Sequence, residues 1–124
     1  MSNTLQGRSV LVAEDVLLIA EDIRDAVLAA GGEVVGPVAT LEAAIAAASR
    51  HRPHLATLNV ALGGRNTIPL AEHLASIGVP FVLVTGMSPE ELSRHYAVAP
   101  LVAKPFYREE LLRALSAAAV RKAS

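Results

Sequence analysis

Five polar residues stand out by type and by position: Glu14, Asp15, Asn59, Thr85 and Lys104. Each ends or follows a short apolar run. Together they offer two carboxylates, an amide, a hydroxyl and an ammonium. In open α/β sheets, sites form outside the carboxyl ends of the strands, so five such groups from four distant places read as one site. Caps and turns would account for one or two of them, not for the full set. Asn59 is the odd member. An amide is neutral and feebly nucleophilic where chemistry would ask for a charge.

The runs that must carry these residues are legible as strands and helices. Residues 8–13 (RSVLVA), 53–62 (PHLATLNVAL), 80–84 (PFVLV) and 101–103 (LVA) are apolar and bounded by Pro, Gly or charged residues. They read as strands buried on both faces of a parallel sheet. A further strand, 33–38, is expected to break at Pro37. Between the strands, Ile19, Ile23, Val27 and Ala30 recur at helical spacing, and Gly31-Gly32 supplies a C-terminal cap. Thr40 can cap an alanine-rich helix running to about 51. A third helix is expected over 66–77 with Pro69 in its first turn, a short fourth over 88–96, and a fifth over 107–121 with Leu111, Leu112, Leu115 and Ala119 inward. Strand and helix alternate five times, which calls for a parallel sheet with helices on both faces.

The bulk numbers narrow the function. The 124 residues carry a formal charge of −1 and no basic tail, which argues against nucleic acid or a membrane surface as partner. There is no cysteine, so thiolate metal sites and disulfides are excluded. No apolar run approaches the roughly 18 residues of a membrane span, and the first residues lack the pattern of a signal peptide. A cytoplasmic domain is expected. With hydrophobic residues at 52% but aromatics at 3%, its core must be built from Ala, Val, Leu and Ile.

Glu14-Asp15 after the first strand, Asn59 with Gly63-Gly64, Thr85-Gly86 after the fourth strand and Lys104-Pro105-Phe106 after the fifth make the chain resemble a receiver domain of bacterial two-component response regulators. The resemblance runs from Ser9 to about Ala118. It implies a flavodoxin-like, doubly wound five-stranded sheet in the order 2-1-3-4-5 with five helices, and a single domain over 1–124 with its core at about 8–120. It further implies an Mg²⁺ site formed by Glu14, Asp15, Asn59 and the Ala61 backbone carbonyl. The phosphoacceptor position falls at Asn59, the phosphoryl contacts at Thr85 and Lys104, and a cis bond before Pro105. A histidine kinase or phosphotransfer protein is the implied partner at the first helix, where Leu17, Glu21, Arg24 and Leu28 share a stripe. A homodimer through the fourth and fifth elements is a further implication.

Two positions depart from the family pattern. Asn59 stands where the family has an aspartate, and Leu101 where an aromatic reports the phosphorylation state. Aspartyl-phosphate chemistry needs a carboxylate nucleophile, and Mg²⁺ favours carboxylates and water, so its binding is expected to be weak. Asn59 keeps an oxygen that can accept from Lys104. The reading is therefore a pseudo-receiver that signals by protein–protein contact and is no enzyme. An ordinary receiver silenced by an engineered Asp-to-Asn change is the alternative, and the Leu101 departure favours a natural origin. An Mg²⁺-dependent phosphoryl hydrolase using Glu14, Asp15 and Lys104 is more remote, for want of a nucleophile. A flavin site lacks aromatics for stacking. His51, His54, His73 and His95 match no zinc spacing, Gly63-Gly64 lacks the phosphate-loop pattern, Thr57 is expected to be buried in mid-strand, and no Ser–His–Asp arrangement emerges.

Overall fold

The computed structural model describes residues 4–87 and 99–123. Its elements in order are β1 (Ser9–Ala13), α1 (Leu17–Ala29), β2 (Glu33–Val38), α2 (Leu41–His51), β3 (Leu55–Leu58), β4 (Ala61–Leu62), β5 (Arg65–Asn66), α3 (Ile68–Ser76), β6 (Phe81–Thr85), β7 (Leu101–Ala103) and α4 (Arg108–Ala123). The main sheet runs β2-β1-β3-β6-β7, and every neighbouring pair is parallel. With the two-residue strands β4 and β5 set aside, this is the order 2-1-3-4-5 of the flavodoxin-like receiver fold. The helix expected over 88–96 lies outside the described residues.

Alternation along each strand feeds two cores. Val10 and Val12 of β1 face a cluster with Ile23 and Val27 of α1 and Leu111 and Leu115 of α4. Leu11 and Ala13 face the opposite cluster, with Leu41 and Ala44 of α2 and Leu70 and Leu74 of α3. A period-two strand can be apolar throughout only when both faces are covered. Alanine takes the place of aromatics here: Ala20, Ala26, Ala44, Ala48 and Ala118 are buried, and their small side chains let the helices lie close to the sheet. The first core also reaches beyond the expected 8–120 boundary. Leu5 is fully buried in it, and its N–H donates to the Ala30 carbonyl at 3.1 Å.

Three elements differ from expectation. The strand expected over 53–62 ends at Leu58, and Ala61 and Leu62 form the separate strand β4 outside the main sheet. Pro37 does not break β2. Leu11 pairs with Val35 and Ala13 with Val38, so β2 carries one extra residue as a bulge. An edge strand tolerates proline there because it need not donate to a ladder. Gly36 makes the bulge possible: its φ is 95°, and a Cβ would lie 2.8 Å from the Val38 nitrogen. The Gly36–Pro37 bond is cis. Helix α3 begins at Ile68, two residues later than expected, because Arg65 and Asn66 pair with Leu62 and Ala61 in an antiparallel hairpin. Gly63 and Gly64, at φ 58° and 82°, form its turn. The Asn66 side chain then accepts from the Ile68 N–H at 3.0 Å and starts the helix.

Thr57 lies between Val12 and Val82 in register. Its hydroxyl is buried and has no hydrogen-bond partner among the described residues. Valine has nearly the same shape without the stranded polar atom, and an unsatisfied buried hydroxyl costs about 1–3 kcal/mol. The Thr57→Val variant is expected to be more stable by about 1 kcal/mol in urea unfolding. A loss of stability would mean that the hydroxyl contributes a bond after all.

Candidate functional site

The residues singled out by sequence sit at the carboxyl edge of the sheet, on four strand ends. Glu14 and Asp15 follow β1, Asn59 follows β3, Thr85 ends β6 and Lys104 follows β7. Backbone bonds tie these ends together. The Asn59 N–H donates to the Ala13 carbonyl at 3.2 Å, the Glu14 N–H to Val38 at 3.0 Å, and the Lys104 N–H to Thr85 at 2.9 Å. The Lys104–Pro105 bond is cis.

Glu14 is the buried member, only 2% exposed. One carboxylate oxygen, Oε1, lies 2.8 Å from the Lys104 ammonium, which is itself largely shielded. The other, Oε2, accepts from the Val16 N–H at 3.1 Å. Charge burial on this scale is tolerable only when the ions meet and the remaining lone pairs are satisfied. Asp15 is exposed, and its Oδ2 accepts from the Gly63 N–H at 2.9 Å, joining β1 to the hairpin turn.

Asn59 is half-buried, and its side chain is engaged locally. Oδ1 accepts from the Val60 N–H at 2.8 Å. The expectation that this oxygen would accept from Lys104 is corrected: the ammonium goes to Glu14, a full anion, rather than to a neutral amide. The Asn59 backbone carbonyl accepts from the Thr67 hydroxyl at 2.6 Å. Thr67 was not foreseen, because the hairpin between positions 59 and 67 hides their proximity. Thr85 is buried, and its hydroxyl accepts from the Met87 N–H at 3.3 Å. Ala61 opens β4 opposite Asn66. Leu101 is half-buried on β7, beside Leu83 and packed on the second core.

These engagements bear on the divalent cation that the fold family implies. Glu14 Oε1 meets Lys104 as an ion pair but makes no hydrogen bond among the described residues, while Glu14 Oε2, one Asp15 oxygen and the Asn59 amide oxygen each accept from a backbone N–H. With Lys104 neutralising Glu14, the charge gathered here is about that of one carboxylate. Mg²⁺ dehydrates reluctantly and is held through carboxylates, so Glu14, Asp15 and Asn59 would offer it only one uncompensated carboxylate. Among the described residues, no three acidic or histidine side chains group as metal ligands. His54 bonds to Ser9 and His73 to Ser49.

Beside the acids, the start of α1 exposes an apolar patch. Val16, Leu17 and Leu18 are exposed there, Leu17 at 70%, while Leu28, 52% exposed, lies at the far end of the same helix. The run Val16-Leu17-Leu18, directly after two acids, was the available signal for Val16 and Leu18.

No protein-family model matches the chain. The transcriptional regulatory protein PdtaR of Mycobacterium tuberculosis is 31% identical over 118 residues, which cover 92% of this chain and 58% of PdtaR. The response regulator PhyR of Brucella abortus superposes with a TM-score of 0.84 at 28% identity, over 98% of this chain and 51% of PhyR. The receiver (REC) domain of Erythrobacter litoralis PhyR superposes with a TM-score of 0.83 at 28% identity, over 96% of this chain and 95% of that domain. The chain thus spans little more than half of the longer relatives and nearly the whole of an isolated receiver domain. These likenesses support a receiver domain of two-component signalling.

The Glu14–Lys104 pair generates a stability prediction. Removing one partner leaves a buried charge uncompensated, a loss of about 3–5 kcal/mol, whereas an apolar pair of similar volume is often neutral. Lys104→Met is expected to lower urea stability by about 3 kcal/mol. Glu14→Leu in the same chain should restore most of it. A double variant no more stable than Lys104→Met would show that the pair is not the source of the loss.

Proposed function

We propose that the chain is a receiver module that transmits signals by contact with another protein and does not form an acyl phosphate at position 59. The observation that carries this reading is Asn59 at the end of β3, a neutral amide whose oxygen is held by the Val60 N–H. An amide in that position is a poor nucleophile.

The partner in this reading is a histidine kinase or phosphotransfer protein that docks on the apolar start of α1. Clustered exposed leucines beside charged residues are the composition of a contact patch rather than of a solvated helix end. Self-association is a second possible mode. The reading includes neither catalysis nor contact with nucleic acid or membrane. It places the protein in the cytoplasm, and no helix among the described residues is long and apolar enough to cross a membrane. Mg²⁺ binding is weak in this reading, since two carboxylates remain and one is already paired.

The test is incubation with acetyl phosphate and Mg²⁺, followed by intact-mass measurement under mild conditions. The chain as it stands is expected to stay unmodified, and Asn59→Asp to gain one phosphoryl group. A phosphoryl adduct on the Asn59 protein would refute the pseudo-receiver reading. Labelling of neither form would leave the loss unexplained by Asn59 alone and overturn the assignment of position 59.

Stability offers an independent check. Two unit charges about 4 Å apart at an effective dielectric near 20 interact by about 4 kcal/mol, and a third carboxylate added beside Asp15 and Glu14 meets a screened share of that repulsion. Without metal, Asn59→Asp is expected to be less stable by about 1–2 kcal/mol in urea. Mg²⁺ should close the gap by mass action on the aspartate form. A more stable aspartate form without metal would mean that Lys104 still over-neutralises the site.

A further inference from the structure

The amino edge of the sheet, opposite the acids, carries a cleft of about 260 Å³. Arg8 enters it from the approach to β1, and Arg52 and His54 from the turn between α2 and β3. Ile77, Val79 and Ala119 add apolar lining. Among the described residues neither Arg8 nor Arg52 has an ion-pair partner, as is also the case for Arg50, Arg108 and Arg113, whereas Arg24, Arg65 and Lys104 are paired. The cleft therefore gathers two uncompensated guanidinium groups.

Arg52 is also held in a backbone conformation that disfavours it. It caps α2 at φ 44° and ψ 65°, the left-handed region where glycine or asparagine ordinarily ends a helix. A bulky residue there is strained, and such strain collects at functional positions. The helix dipole does not explain the choice, because Arg50 and His51 already place basic groups in the last turn without that strain. His54 is pre-oriented. The Ser9 N–H donates to its Nδ1 at 3.0 Å, so Nδ1 carries no proton. The ring's Nε2, on the far side, is left to act as a third donor.

We propose that this cleft is a second binding site, for a phosphate monoester carried on a small apolar body. Guanidinium groups match phosphate oxygens by paired hydrogen bonds as well as by charge. Two of them with one imidazole N–H suit a dianion, and Ile77, Val79 and Ala119 suit its hydrocarbon part. The site is separate from the strand carboxyl ends, where Lys104 is already neutralised by Glu14.

The experiment is an amide NMR titration of the full chain with inorganic phosphate and with phenyl phosphate. Saturable shifts are expected at Ser9, His54 and Gly78, with phenyl phosphate the tighter probe. Arg52→Gly relieves the backbone strain, so it should melt at or above the parent temperature, yet it should weaken phenyl phosphate binding about tenfold. Arg8→Gln carries the same binding expectation without touching the turn. Shifts confined to Thr85 and Gly86, unchanged affinity in both variants, or no saturable shift up to about 10 mM phosphate would each overturn the proposal.

Discussion

The arrangement at the carboxyl edge depends on one ion pair between strands that are not neighbours. Glu14 follows β1 and Lys104 follows β7, with β3 and β6 between them. At about 4.8 Å per strand, three spacings make roughly 14 Å, about the reach of an extended lysine and an extended glutamate meeting end to end. Desolvation makes the pair costly unless its geometry holds. The sheet order, the strand lengths and the β7 turn must therefore all be right for Glu14 to be tolerated in its buried place. The ends of β3 and β6 lie between the two ions, so the pair also frames Asn59 and Thr85.

Much of this fold was readable in the residues. Continuous apolar runs bounded by proline and glycine marked the parallel strands, and three- and four-residue spacing marked the helices. What stayed hidden was set by tertiary context. Pro37 argues against a strand in isolation, but the edge position of β2 and the freedom of Gly36 admit it. Asn66 has an ordinary helix-start character, and only the turn at Gly63-Gly64 shows that its backbone first serves a hairpin. Leu5 carries no periodic signal at all. Its burial comes from a single turn that folds the chain back beneath α1.

The site was legible as a set of residue types and much less so as a set of bonds. Strand-end position was enough to bring Glu14, Asp15, Asn59, Thr85 and Lys104 to one edge. It could not say that Lys104 would choose Glu14 over Asn59, because that choice rests on the difference between a buried anion and a neutral amide. Nor could it reveal Thr67, which reaches Asn59 through a hairpin of two-residue strands, or the cleft shared by Arg8 and Arg52. Spacing along the chain carries no trace of such meetings.

The bulge in β2 has a bearing on association. A sheet this rich in valine and leucine would be a template for pairing with other chains if its outer strands offered continuous rows of donors. On one side β2 is interrupted by the extra residue and by Pro37, which has no N–H to give. On the other side β7 is only three residues long. Neither flank can readily be extended by another copy. Contacts with other proteins are thereby steered to side chains on helices and turns, where sequence can tune them, and away from backbone pairing, which would not discriminate among partners.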